Sequence, residues 1–211
     1  PPTSWATLFI IDPAYTLPLL IGVLMATFWP ARQWTDIGLR AGIALSTLYI
    51  GWSWVAHGIV EQHAENALSE LQIYGAPVFM TPTPFNTMLW RVVVRTDDGY
   101  LEGYDSLLVD EDKLVFKAYS SDMRALQEAS DVWAVERLRW FARDFVKASV
   151  EDDKLVISDL RMGAEPNYVF RHVVAVHDNP HWKAVPSELL PFSIDQRALG
   201  SVWQRLWAEG N

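Results

Sequence analysis

Residues 41–60 read AGIALSTLYIGWSWVAHGIV and contain no Asp, Glu, Lys or Arg. An α-helix needs roughly 20 apolar residues to cross the hydrocarbon core of a bilayer, and this run has that length. Residues 5–29 (WATLFIIDPAYTLPLLIGVLMATFW) form a second run, in which Asp12 is the only charged residue. The two runs predict transmembrane helices at 5–29 and 41–60, within a membrane hairpin of residues 1–65. A buried helical hairpin in a soluble protein is the alternative.

The segment between the two runs, residues 31–40, is predicted to be a short polar loop. It carries Arg32 and Arg40, whereas Glu61 and Glu65 follow the second run. Basic residues that flank membrane spans lie preferentially in the cytoplasm. We therefore expect this loop in the cytoplasm and residues 61–211 on the outer side of the membrane.

Gly42 and Gly51 lie too far apart for a close-packing motif, so they predict no particular helix contact.

After residue 60 the chain becomes polar, and residues 61–75 are expected to continue as a polar helix. Asp97-Asp98-Gly99 is a strong hairpin signal between two strand-like runs. We predict the strands 88–96, 100–108, 113–119, 144–150, 154–161 and 168–177, a helix at 131–142 capped by Ser130, and a last helix beginning at Ser193. The predicted fold class is α+β: two N-terminal transmembrane helices and then a soluble domain, residues 66–211, of mostly antiparallel β-sheet with peripheral helices.

Composition excludes several classes of protein. Half of the 211 residues are hydrophobic, which argues against a disordered chain. The net charge of −9 argues against nucleic-acid binding, which requires a basic face. The absence of cysteine excludes disulfides, thiolate zinc sites and thiol nucleophiles. Because the chain begins Pro1-Pro2-Thr3 without a methionine, we expect it to be a fragment of a longer protein.

Asp12 is the first candidate for a functional residue. Asp followed by Pro fits a helix N-cap and the first helical position, which is a structural interpretation. An ionisable residue within an apolar run is costly and marks a functional site, which is a catalytic interpretation. Tyr15 follows three residues later, so its hydroxyl is expected on the same side of the helix, near the point where Pro18 loosens the backbone.

Two further segments carry candidate residues. Residues 81–87 (TPTPFNT) are expected to be stiff and extended because of the two X-Pro steps, and Asn86 either faces a site or makes a local turn bond. Asp159 and Arg161 share one face of a predicted strand, where they pair with each other or with a third group. His57 and Glu61, one helical turn apart, form only a weak metal-ligand pattern.

Three strings occur in order along the chain: residues 10–20 (IIDPAYTLPLL), 81–91 (TPTPFNTMLWR) and 158–163 (SDLRMG). Together they resemble the C-terminal part of the bacterial inner-membrane-associated metal-dependent hydrolases, a family also labelled LexA-binding, inner membrane-associated hydrolases. The resemblance implies a multi-span protein of the bacterial inner membrane, with the soluble domain on the periplasmic side and the metal-binding histidines and aspartates upstream of this chain. The corresponding motifs, of the types His-Arg-Gly-x-Thr-His-Ser and Asp-x-x-Thr-x-Tyr-Gly, are absent from residues 1–211.

The resemblance also implies roles for the candidate residues. Asp12 would bind a divalent metal such as zinc or orient one of its ligands, most of which lie outside this chain. Tyr15 would lie beside the metal site. Residues 81–90 with Asn86, together with Asp159 and Arg161, would form its wall or lid, and Arg161 would hold an anionic group of an unknown small-molecule or envelope substrate. The fragment alone would then be inactive.

Two other functions stay open at the level of sequence. One is a non-catalytic, membrane-anchored binding domain of the cell envelope, with a protein or ligand as its partner. The other is a soluble domain that binds lipid or another hydrophobic molecule. In both enzyme and binding-domain hypotheses, the lipid bilayer is a partner and nucleic acid is not.

Overall fold

The computed structural model describes residues 6–30, 33–109, 114–179 and 181–192. Its first two elements are the helices α1 (Pro13–Phe28) and α2 (Gln33–Glu70). The helix predicted to begin at Ser193 lies outside the described residues. In the described part, the fold is α+β with antiparallel sheets, as predicted.

The prediction of a polar loop over residues 31–40 is wrong for most of its length, because α2 already begins at Gln33. No proline interrupts residues 33–40, and Asp36 lies in the first turn, where a carboxylate interacts favourably with the helix dipole. The polar residues thus belong to the exposed end of a helix. At its other end α2 continues through residues 61–70, so the predicted polar continuation is confirmed as far as Glu70.

α1 and α2 pack antiparallel through small residues. A Cβ added at Gly42 would lie 2.5 Å from the carbonyl oxygen of Pro18, and one added at Gly22 would lie 3.1 Å from that of Gly38. The Ser46 hydroxyl donates to the carbonyl of Tyr15 at 2.8 Å. Gly42 is therefore a close-packing position, although its spacing from Gly51 gave no sign of this.

By length and composition, one helix in the described part of the chain is long and apolar enough to cross a membrane, and it is α2 over Trp34–Glu70. α1 is also apolar but has only 16 residues. Of the two predicted spans, the second thus corresponds to a helix of sufficient length and the first to a shorter one.

Sheet A follows α2 along the chain. Its strands are β1 (Val78–Pro82), β2 (Leu89–Arg95), β3 (Gly99–Ser106) and β4 (Phe116–Ser120), antiparallel in the order β1-β2-β3-β4. The β2–β3 hairpin confirms the prediction made from the Asp-Asp-Gly turn. One face of sheet A covers the C-terminal half of α2, where Trp90, Val92 and Val94 pack against Ala56, Val60, Ala64 and Leu68.

Sheet B is separate from sheet A, whereas the sequence predicted a single sheet. Between them the chain passes through α3 (Met123–Glu128) and α4 (Trp133–Ala142). Sheet B consists of β5 (Val146–Glu151), β6 (Lys154–Asp159), β9 (Arg171–Asp178) and β10 (His181–Leu189), in the order β10-β9-β6-β5, and β7 (Gly163–Ala164) pairs with β8 (Asn167–Tyr168) in a small ribbon. The helices intervene because each buries an apolar face against sheet B.

The predicted cap of α4 is wrong. α4 begins at Trp133, its N-cap is Val132, and no side chain caps it. The side-chain cap in this region belongs instead to α3, where Asp122 accepts a hydrogen bond from the Ala125 amide at 2.9 Å.

A third apolar cluster joins the two sheets. Val93 and Tyr100 of sheet A pack with Phe145, Leu160 and Tyr168 from the sheet B part of the chain. Beside this cluster Arg91 donates a hydrogen bond to the Leu160 carbonyl, so the strings at 81–91 and 158–163, far apart in sequence, meet here.

Candidate functional site: the junction of the helices and sheet A

Asp12 is the N-cap of α1, which confirms the structural interpretation of this residue. Its Oδ1 accepts a hydrogen bond from the Ala14 amide at 2.9 Å, and its carbonyl accepts from the amide and hydroxyl of Thr16. The residue is only 1% exposed. A carboxylate is a favourable cap because it satisfies an otherwise unpaired amide and opposes the positive end of the helix dipole.

The second oxygen of Asp12 ends a chain of hydrogen bonds that comes from α2 and sheet A. The Trp52 indole donates to the Thr87 hydroxyl at 3.2 Å, and Thr87 donates to the Tyr49 hydroxyl at 3.0 Å. Tyr49 in turn donates to Asp12 Oδ2 at 2.9 Å. Each hydroxyl both accepts and donates, so the chain has one direction and requires an acceptor at its end.

Asn86 stabilises the turn at residues 83–88, as the local-turn interpretation predicts. Its Oδ1 accepts from the amides of Met88 and Leu89 at 2.9 and 2.8 Å, and its Nδ2 donates to the Thr83 hydroxyl at 3.0 Å. The turn places Thr87 against α2. Asn86 therefore contributes to the junction of α1, α2 and this turn only by ordering the backbone of the turn.

Tyr15 contributes to the junction through its backbone. Its carbonyl accepts the Ser46 hydroxyl, and its ring is half-buried. The tyrosine that bonds Asp12 is Tyr49 of α2, which the sequence analysis did not select. Tyr49 is the only tyrosine in the charge-free run of residues 41–60, and an ionisable phenol within such a run is the signal that would have identified it.

Asp159 and Arg161 form a bidentate ion pair with each other, the first of the two predicted outcomes. Arg161 donates from Nε to Oδ1 at 3.0 Å and from Nη2 to Oδ2 at 2.7 Å. The two side chains are 6% and 12% exposed, and the guanidinium lies over the ring of Phe141. The hydrogen bonds and ion pairs of the described residues do not connect this pair with Asp12, Tyr15 or Asn86.

A buried polar cluster between the sheets was not predicted. Arg91 donates from Nη2 to Glu102 at 2.5 Å and from Nη1 to the Leu160 carbonyl at 2.6 Å. Tyr168 donates to the Tyr100 hydroxyl at 2.9 Å, and Tyr100 donates to a carboxylate, Glu165, at 2.6 Å. Because these partners are 11 to 69 residues apart, no local pattern reveals them.

The environment of this cluster shifts several pKa values. Burial and the hydrogen bond to Glu165 raise the pKa of Tyr100 far above the usual tyrosine value. Burial likewise raises the pKa of Tyr168. Burial also acts to raise the pKa of Glu165, but hydrogen bonds from Lys147 and Tyr100 outweigh it and the pKa lies below its ordinary value. Both tyrosines are thus neutral and Glu165 is ionised at neutral pH.

The described residues do not fit a metal site by themselves. Among them there is no group of three or more His, Asp or Glu side chains that could hold a metal ion. His57 lies between the rings of Trp54 and Trp90, with centroid distances of 6.5 and 5.6 Å. Each oxygen of the Asp12 carboxylate accepts a hydrogen bond within the chain. The geometry supports a positioning role for Asp12, and its proposed metal ligation stays a prediction.

The three strings that carry the family resemblance form one connected structure. Residues 10–20 meet residues 81–91 through Asp12, Tyr49 and Thr87, and residues 81–91 meet 158–163 through the bond from Arg91 to Leu160. Comparisons of the whole chain with protein-family models, curated proteins and solved structures gave no significant match.

Proposed function

We propose that this chain is the C-terminal, membrane-anchored part of a metal-dependent hydrolase of the bacterial inner membrane. Its own task is to hold the sheet domain in a fixed position on the membrane helices, beside metal ligands located upstream. The observation that carries the proposal is that hydrogen bonds link the three family-like strings, the first to the second through Tyr49 of α2 and the second to the third directly. Because the described residues do not fit a metal site, no catalytic step is assigned to them.

The proposal includes two membrane spans, formed by α1 and α2. Large apolar side chains are exposed along both helices, for example Leu17, Ile21, Ile43 and Leu48. On α2 they extend from Ile37 to Val55, a rise of about 27 Å, which is close to the thickness of a hydrocarbon core of about 30 Å. Such a surface is unfavourable in water and favourable in lipid.

Tryptophan positions support the same placement. Trp29 and Trp34 are exposed at one end of the helical pair, and Trp54 is exposed near the other. Indole rings prefer the two membrane–water interfaces. With the basic residues of 31–40 in the cytoplasm, the sheets lie on the periplasmic side.

The rival proposal is a non-catalytic, membrane-anchored binding domain of the cell envelope. The observation in its favour is that the side chains of Asp12, Asn86, Asp159 and Arg161 all make hydrogen bonds within the chain. On this proposal the three strings are packing and turn signatures, and the functional surface lies elsewhere on the sheets.

Metal analysis and a panel of hydrolase substrates, applied to the full-length protein in detergent, separate the two proposals. We expect Asp12→Asn to abolish metal-dependent turnover while the protein stays folded, because asparagine still caps a helix. Its thermal transition should fall, because the amide NH2 cannot accept the hydrogen bond from Tyr49. Asp36→Asn, at an exposed carboxylate of α2, is the matched control and should be fully active. Full activity of Asp12→Asn would contradict the hydrolase proposal, and a protein without bound metal or turnover would favour the binding domain.

A further inference from the structure

The turn at residues 83–88 carries an aromatic side chain in an unfavourable position. Phe85 is 51% exposed, and its φ of 69° lies in the left-handed region. A bulky residue rarely adopts that conformation, which glycine or asparagine would tolerate better. Within the described part of the chain, the ring contact of Phe85 is with Phe9, at 5.6 Å between centroids. This contact leaves half of the phenyl group uncovered.

Hydrogen bonds to α2 determine the depth of this turn. Thr87, two residues after Phe85, is bonded to Tyr49 and Trp52. These residues lie six and three positions before Val55, the last large exposed apolar side chain of α2, or about 9 and 4.5 Å along the helix axis. Along the axis of α2, the turn therefore lies at the same depth as the last residues of the exposed apolar stretch, and not farther from the membrane centre.

The apolar surface of the helices continues onto the turn without a charged residue. Ile10 and Ile11, immediately before α1, are 86% and 63% exposed, and they adjoin Phe9. Residues 6–11 and 79–90 contain no Asp, Glu, Lys or Arg. An uncharged apolar patch at the depth of a membrane interface is suited to lipid and not to water.

We propose that Phe85, together with Ile10 and Ile11, inserts into the boundary between headgroups and acyl chains of the adjoining leaflet. The sheet domain then lies directly on the membrane surface, held there by these three inserted side chains as well as by α2. The inference rests on the proposed embedding of α1 and α2. The surface formed by Phe85, Ile10 and Ile11 contacts lipid on this proposal. Contact with another protein instead is an outcome that the test can detect.

Site-directed spin labelling tests the proposal directly, because the chain contains no cysteine that would compete for the label. Phe85→Cys and Ile10→Cys are labelled in the full chain, reconstituted into nanodiscs of phosphatidylcholine and phosphatidylglycerol. Leu48→Cys, exposed on α2, serves as the lipid control. Asp97→Cys, in the turn at the opposite end of β2, serves as the water control.

The measured quantity is the ratio of the label's collisions with oxygen, which partitions into lipid, to collisions with a water-soluble nickel chelate. We expect oxygen to dominate at positions 85, 10 and 48 and the nickel chelate to dominate at position 97. Nickel access at positions 85 and 10, with position 48 still in lipid, would overturn the proposed insertion but not the proposed membrane spans. Protection of positions 85 and 10 from both reagents would instead indicate a protein cover and also overturn it. Nickel access at position 48 as well would contradict the membrane embedding itself.

Discussion

Removing the negative charge of Glu102 should destabilise the protein more than most single substitutions. Arg91 and Glu102 are 4% and 5% exposed, so the substitution Glu102→Gln leaves a guanidinium buried without its counter-ion. Burial by itself disfavours the charged guanidinium, and the Glu102 carboxylate outweighs this and keeps the pKa of Arg91 above its ordinary value. Nε of Arg91 is already buried without a hydrogen-bond partner in the described structure, and the other groups at the guanidinium there, the Leu160 carbonyl and the ring of Tyr168, carry no formal charge.

The size of the effect follows from the burial of both partners. Breaking a buried ion pair by removing one partner costs about 3–5 kcal/mol, because an uncompensated charge is left behind. At about 1.4 kcal/mol per factor of ten, the unfolding equilibrium constant rises by about 10² to 4 × 10³. Since whole domains are stable by roughly 5–15 kcal/mol, a large share of the total is lost.

A double-mutant cycle provides the assay. Glu102→Gln, Arg91→Met and the double variant are compared by denaturant unfolding of the full chain in detergent micelles, followed by near-ultraviolet circular dichroism. The double variant should be less destabilised than the sum of the two single variants, because it strands no charge. Arg124→Met, in the exposed pair with Glu128, is the control and should have no measurable effect. Additive losses in the cycle, or a Glu102→Gln variant as stable as the control, would refute the reasoning.

Three further predictions concern packing and pH. Gly42→Ala should lower the stability in micelles by about 1–3 kcal/mol, because its Cβ would meet a backbone oxygen of α1 at 2.5 Å. Gly51→Ala is the control: its Cβ would have nothing within 4 Å, so the stability should be unchanged or rise by up to about 1 kcal/mol. Equal thermal shifts of the two variants would contradict this prediction. Glu165 has a lowered folded-state pKa, so its stabilising effect is present above a pH of about 4.3 and is lost as the pH falls through the folded value. Glu165→Gln should therefore flatten the acid limb of the stability profile, and an unchanged limb would exclude this role. Tyr100 and Tyr168 have raised pKa values, so they stabilise the protein below a pH of about 10 and lose this effect as the pH rises further. In an ultraviolet titration both tyrosines should ionise only when the protein unfolds at alkaline pH. Ionisation of either one in the folded protein would disprove this prediction.

Local patterns predicted the elements whose signals are local. The β2–β3 hairpin follows from a turn triplet between two strand-like runs, and α2 follows from the length of an uncharged apolar run. β1 and β10 were missed because their residues are largely exposed or only partly buried, so they show no regular apolar alternation. The start of α2 was misplaced because polar residues at an exposed helix end resemble a loop.

The candidate site shows the same division. Asp12 was identified because a carboxylate in an apolar run is costly wherever the run folds. Its partner Tyr49 lies 37 positions away, and Thr87 lies 38 positions beyond Tyr49, so only tertiary packing forms this chain of hydrogen bonds. Asp159 and Arg161, two residues apart, were placed together correctly because their pairing is local.

By itself, the sequence determined the apolar helices at the start of the chain, the antiparallel strands that follow and the presence of a costly carboxylate in the first apolar run, because spacing and turn chemistry act over a few residues. Only the tertiary structure decided that the strands form two separate four-stranded sheets. It also decided that hydrogen bonds through Tyr49 connect Asp12 of α1 with α2 and the turn at residues 83–88, and that Arg91 and Glu102 form a buried pair. These features depend on which surfaces meet when the chain closes, and burial turns such distant polar groups into obligatory partners.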